Sequence, residues 1–204
     1  MTDLNRAIGD ISSIRRQVAR STEFRGYGPA TLAATGFTAV LAAVVQAVLL
    51  PDPANHIAIY LAIWISTALI SSALIGTEMF ARTRRIHSGL ADEMIRMAVE
   101  QFLPSAVAGA LLTFVLVRYV SAEVWILPGI WQIVYSLGIF SSCRFLPRHM
   151  LAPGAWYLLT GLICIALAGG RALSPCTMGI PFGLGQLLVA AVLLIHAPEA
   201  ADEA

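Results

Sequence analysis

Six long apolar runs separated by short polar turns dominate the chain. They cover residues 30–50, 57–81, 102–120, 124–143, 153–170 and 177–196. A helix needs about 20 mostly apolar residues to cross a hydrocarbon core, and each run is close to that length. Two further stretches alternate with a helical period and are only half apolar. In residues 3–22, Leu4, Ala7, Ile8, Ile11, Ile14 and Val18 share one face, while Asp3, Arg6, Asp10, Ser13, Arg16 and Arg20 fall mainly on the other. In residues 86–101, Ile86, Leu90, Met94, Ala98 and Val99 oppose Asp92, Glu93, Arg96 and Glu100. Both read as amphipathic helices lying on a membrane surface. Gly26, Gly28 and Pro29 break the chain after the first of them. The pattern predicts an all-α polytopic membrane bundle of six transmembrane helices plus two amphipathic cytoplasmic helices. It divides into an amphipathic amino-terminal segment (1–28), a transmembrane domain (29–197) and an acidic tail (198–204) with Glu199, Asp202 and Glu203.

Composition agrees with the pattern. Of 204 residues, 58% are hydrophobic and 12% charged, with a mean hydropathy of +0.77, whereas soluble domains carry about 25% charge. Six short-looped helices use up nearly all of the length, so no soluble catalytic domain is expected. The first 28 residues lack the apolar core of a cleavable secretory signal. Cys143, Cys164 and Cys176 show no CxxC spacing, and they read as small apolar packing residues.

Charge sets the expected orientation. All thirteen basic residues are Arg, and eleven lie in the amino-terminal segment or in the second and fourth turns (Arg82, Arg84, Arg85, Arg96, Arg144, Arg148). Only Arg118 and Arg171 flank the other turns. Short cytoplasmic loops retain Arg and Lys, so both termini are expected in the cytoplasm. The Arg-only, Ala-rich usage points to a bacterial inner membrane as the location.

Small residues recur at helix-contact spacing. Examples are Ala39, Ala43 and Ala47, Ser72 with Gly76, and Gly179 with Gly183. Such spacing lets backbones approach closely in lipid.

Chemistry is sparse. Leu127-Pro128-Gly129-Ile130-Trp131-Gln132 in the fourth run parallels Pro181-Phe182-Gly183-Leu184-Gly185-Gln186 in the sixth. The preceding runs share Leu111-Leu112-Thr113 and Leu158-Leu159-Thr160, which outlines a hairpin repeat of 111–140 against 158–194. Helix breaks at matching places in repeats point to binding sites in transporter-like bundles. A pocket there would be lined by Thr113, Trp131, Gln132, Thr160 and Gln186. The same residues also read as packing contacts between helices, with Trp125 and Trp131 in an aromatic belt. A second constellation, Glu78, His87, His149 and His196, gathers at the cytoplasmic rim and has donor types that suit a transition metal. Plain solvation, or a Glu78–Arg82 pair, accounts for it equally well.

The middles of the runs hold no carboxylate, Lys, Arg or His, which disfavours proton pumps and mid-membrane haem. Motifs of hydrolases, zincins and nucleotide-binding loops are missing. No cofactor is called for, and a non-enzyme is favoured. Three readings remain open. One is a carrier or binding bundle for a small neutral solute. Another is a scaffold that docks a protein partner at the cytoplasmic face through its amphipathic helices. The third is an intramembrane enzyme with the rim metal site. The expected partners are the lipid bilayer, a small uncharged ligand or a cytoplasmic protein, and no nucleic acid.

Overall fold

A computed structural model describes residues 28–85, 90–143, 148–167 and 169–196. Throughout these residues the regular structure is helical. In chain order the helices are α1 (Pro29–Leu49), α2 (Ile57–Arg85), α3 (Leu90–Tyr119), α4 (Leu127–Ser142), α5 (Leu151–Leu167) and α6 (Pro175–His196). A 3₁₀ segment, Ser121–Ile126, runs directly into α4. The amphipathic reading of residues 3–22 falls outside the described residues, as do residues 86–89 of the connector.

Proline and glycine punctuate the helices in ways their chemistry allows. Pro29, Pro128 and Pro175 sit in the first positions of α1, α4 and α6, where the missing N–H has no intrahelical carbonyl to serve. Gly169 follows the end of α5 with φ of 44°, a left-handed conformation that glycine adopts without steric cost. It helps to hold α5 to 17 residues, about 25 Å of helix. Among the described residues, five helical stretches are long and apolar enough to cross a membrane, and α5 is a shorter apolar helix beside them. Residues 90–101, expected as an amphipathic surface helix leading into the third apolar run, form one unbroken helix with it, with Pro104 inside. Exposed on that extension, Arg96 and Glu100 form an i,i+4 pair at 3.4 Å.

Packing follows an order that differs from the chain order. α1 packs most extensively on α6, and α4 on α5. Adjacent pairs run α2–α1–α6–α5–α4–α3, and α3 touches α2 only slightly. Small residues make the two tight seams. A Cβ added to Gly179 would lie 2.5 Å from Ala43 Cβ, and one on Gly183 would lie 2.8 Å from Val40 Cγ2. In the other seam Gly129 and Gly161 face each other so closely that a Cβ on either would come within 2.8 Å of the other's carbonyl oxygen. Lipid supplies no hydrophobic drive between helices, so this close van der Waals contact is a main source of association.

Large apolar side chains cover the outside, among them Phe37, Val48, Leu69 and Ile195, each about two-thirds exposed or more. Such a surface is solvated by hydrocarbon and fits a multi-pass membrane protein.

Candidate functional site

The polar groups of the interior form three networks, and each begins with a helix position that hydropathy alone would fill with Leu. The first centres on Gln46 of α1, which is fully buried. Its Nε2 donates to the Leu173 carbonyl at 2.7 Å, and its Oε1 accepts from Trp64 Nε1 at 2.7 Å. One amide thereby ties α1 to α2 and to the turn before α6.

The second network starts at Pro181. A proline within a helix has no N–H for the carbonyl four residues earlier, which here belongs to Thr177. Gln132 of α4, fully buried, supplies the missing donor, with Nε2 2.9 Å from the Thr177 carbonyl oxygen. Trp156 Nε1 of α5 donates to the Pro181 carbonyl at 2.9 Å. The irregular stretch of α6 is therefore held by side chains from two other helices, as backbone at membrane depth requires.

The third network is aromatic. Gln186 Nε2 donates to the Tyr135 hydroxyl at 2.8 Å. The Tyr135 ring meets Tyr157 edge-on at 4.8 Å and Phe182 at 5.5 Å between centroids. The Tyr157 hydroxyl lies against Gly185, where an added Cβ would come within 2.5 Å of it. Glycine beside Gln186 is thus the only residue that admits this ring without displacement.

Among the described residues, four buried polar side-chain atoms lack a hydrogen-bond partner: Tyr60 Oη, Gln132 Oε1, Tyr157 Oη and Gln186 Oε1. The buried polar side chains among the described residues, Thr35, Gln46, Gln132, Ser136 and Gln186, carry no charge. The described interior therefore offers amide and hydroxyl hydrogen bonds and aromatic faces, and its fully buried polar side chains include no charged acid or base.

The five residues of the expected pocket are distributed over these features. Trp131 Nε1 donates to Thr113 Oγ1 at 2.8 Å, and the Trp131 ring stacks on Tyr60 with an interplanar angle of 9°. Gln132 and Gln186 belong to separate networks. Thr160 turns its hydroxyl to the Trp156 carbonyl of its own helix and lines an open groove beside α6. Trp125 sits at the rim and bonds Glu123 at 2.8 Å. The two proline breaks also differ. Pro128 marks the change from 3₁₀ to α at the start of α4, whereas Pro181 lies inside α6.

At the opposite rim Glu78 Oε2 accepts from the Gly28 N–H at 3.1 Å, just before α1 begins. A carboxylate there complements the positive end of the α1 dipole. His149 is exposed in the 3₁₀ turn Arg148–Met150. His87 and the side chain of His196 lie outside the described residues. Among the described residues no group of three or more His, Cys, Asp or Glu is gathered for a metal.

Gln46, Trp64, Tyr60, Tyr135 and Tyr157 were not singled out from the sequence. A signal existed, because each is a polar-tipped residue within an apolar run. Comparison with protein-family models, characterised proteins and solved structures gives no match.

Proposed function

We propose that the chain is a membrane-embedded binding bundle or carrier for a small, uncharged, hydrogen-bonding solute. Its site is the aromatic–amide core between α4, α5 and α6. The observation that carries this reading is the set of unpartnered atoms there. Gln186 has its amide nitrogen anchored on the Tyr135 hydroxyl while its carbonyl oxygen lacks a partner among the described residues, and the Tyr157 hydroxyl beside Gly185 lacks one too. A buried unpaired polar group costs about 1–3 kcal/mol, and a solute bearing N–H or O–H groups would recover that energy. The lack of charge among the buried side chains suits a neutral solute over an ion. The arginine distribution supports both termini facing the cytoplasm.

Osmotic-shift measurements on proteoliposomes test the proposal, with urea, acetamide and glycerol as solutes. The wild-type protein should raise the permeability to at least one of them in a saturable way. Gln186→Met and Tyr157→Phe, which preserve volume and delete the acceptor or the hydroxyl, should reduce that permeability about tenfold. Permeability equal to protein-free vesicles, or unchanged in both variants, would remove the reading.

A further inference from the structure

An open groove of about 440 Å³ runs along α5 and α6 at the turn that joins them. Its lining changes along its length. Arg171 and Ser174 of the turn and Cys176 at the start of α6 line its turn end, while Ile163, Ile180 and Thr160 line it farther along the helices. Thr160 lies seven residues before the end of α5, about 10 Å further into the membrane. Ile163 and Ile180 are each more than half exposed.

We propose that this groove seats one anionic diacyl phospholipid, with its phosphate on Arg171 and Ser174 and an acyl chain between Ile163 and Ile180. Charge complementarity selects this occupant. Arg171 is exposed and makes no ion pair among the described residues. Its planar guanidinium matches a phosphate through paired N–H donors. It is also one of only two arginines retained on the Arg-poor side of the chain, a placement that orientation rules disfavour. The cation stands at the turn between the two apolar helices, and the apolar walls of the groove extend from it along both of them. The groove borders Thr177 and Pro181 of the Gln132 network, whereas Arg171, Ile163 and Ile180 take no part in the Gln186–Tyr135–Tyr157 core on which the solute site rests.

The full-length protein, purified in mild detergent and titrated with dioleoyl phosphatidylglycerol, can be followed by native mass spectrometry. One tightly held lipid per chain is expected. Arg171→Gln should weaken it about tenfold, and Ile163→Trp, which fills the groove, should do the same. Diacylglycerol should not compete, and neither should millimolar inorganic phosphate. Bound lipid should also slow maleimide labelling of the exposed Cys176. Equal lipid retention in wild type and Arg171→Gln would overturn the proposal, and because Arg171 is exposed, this variant folds independently of the groove-filling one. Competition by inorganic phosphate would overturn it in favour of a phosphate site. A dimer that dissociates on Arg171→Gln would overturn it in favour of a second copy of the chain.

Discussion

Removing the Gln132 amide exposes a debt in the α6 backbone that can be cancelled by a second substitution. Gln132→Leu deletes a side-chain donor to the Thr177 carbonyl, whose usual helical partner is missing because residue 181 is proline. Two terms oppose each other in the single substitution. Losing a buried hydrogen bond in a membrane protein costs about 0.6–1.7 kcal/mol, and the bare carbonyl adds about 1 kcal/mol or more. The substitution also deletes Gln132 Oε1, itself buried and unpartnered, which returns a similar amount. Pro181→Ala separates these terms. An alanine N–H bonds the Thr177 carbonyl within the helix, so Gln132 becomes dispensable to the backbone. The destabilisation by Gln132→Leu should then be smaller in the Pro181→Ala background by about 1 kcal/mol. Reversible unfolding in mixed SDS micelles, followed by circular dichroism and tryptophan fluorescence, gives the four stabilities of the cycle. A coupling energy below about 0.3–0.5 kcal/mol, the ordinary scatter of additive substitutions, would refute the claim that Gln132 serves the proline break.

Two more predictions use the same unfolding assay. Gly129→Ala and Gly161→Ala should each cost about 1–3 kcal/mol through overpacking, since the added methyl meets backbone carbonyl oxygen at 2.7 and 2.8 Å. Gly76→Ala, with nothing within 4 Å of its added methyl, should be neutral or slightly stabilising; similar losses at all three would show that the α4–α5 seam is looser than described. Gln46→Leu should cost about 2 kcal/mol or more, because it strands both the Trp64 indole N–H and the Leu173 carbonyl. Gln46→Glu is expected to be worse still, by placing a charge at a fully buried position, so a loss no greater than that of Gln46→Leu would count against this burial.

The small-residue motifs show how far local pattern reaches. Gly179 and Gly183 could be read as a contact face from spacing alone, and they do lie against Ala43 and Val40 of α1. Ser72 and Gly76 have the same spacing, yet both are exposed. Spacing marks a face that is able to pack closely, but a partner helix has to arrive there. Glu78 was visible as an isolated carboxylate near the end of α2. That it receives the Gly28 N–H, fifty residues earlier, depends on α1 and α2 folding back side by side. Pro181 was visible as a break, but the donor that repairs it could not be named, because a glutamine on any of several helices could have served.

The sequence by itself determined the helices and the solvent they suit. Apolar runs of bilayer length leave no other way to satisfy the backbone, and prolines and glycines set where helices begin and stop. It also determined that the middles of the spans would lack charge. Only the tertiary structure decided which helices touch. The first packs on the last, and consecutive α2 and α3 barely meet. Lipid solvates every apolar face about equally well, so hydropathy carries no information about neighbours. Neighbours are chosen by close steric fit and by a few buried amides and indoles, whose hydrogen bonds join residues as far apart as Gln46 and Leu173. Those long-range pairings also leave the carbonyl oxygens of Gln132 and Gln186 unpartnered, and so the candidate site is a product of the packing.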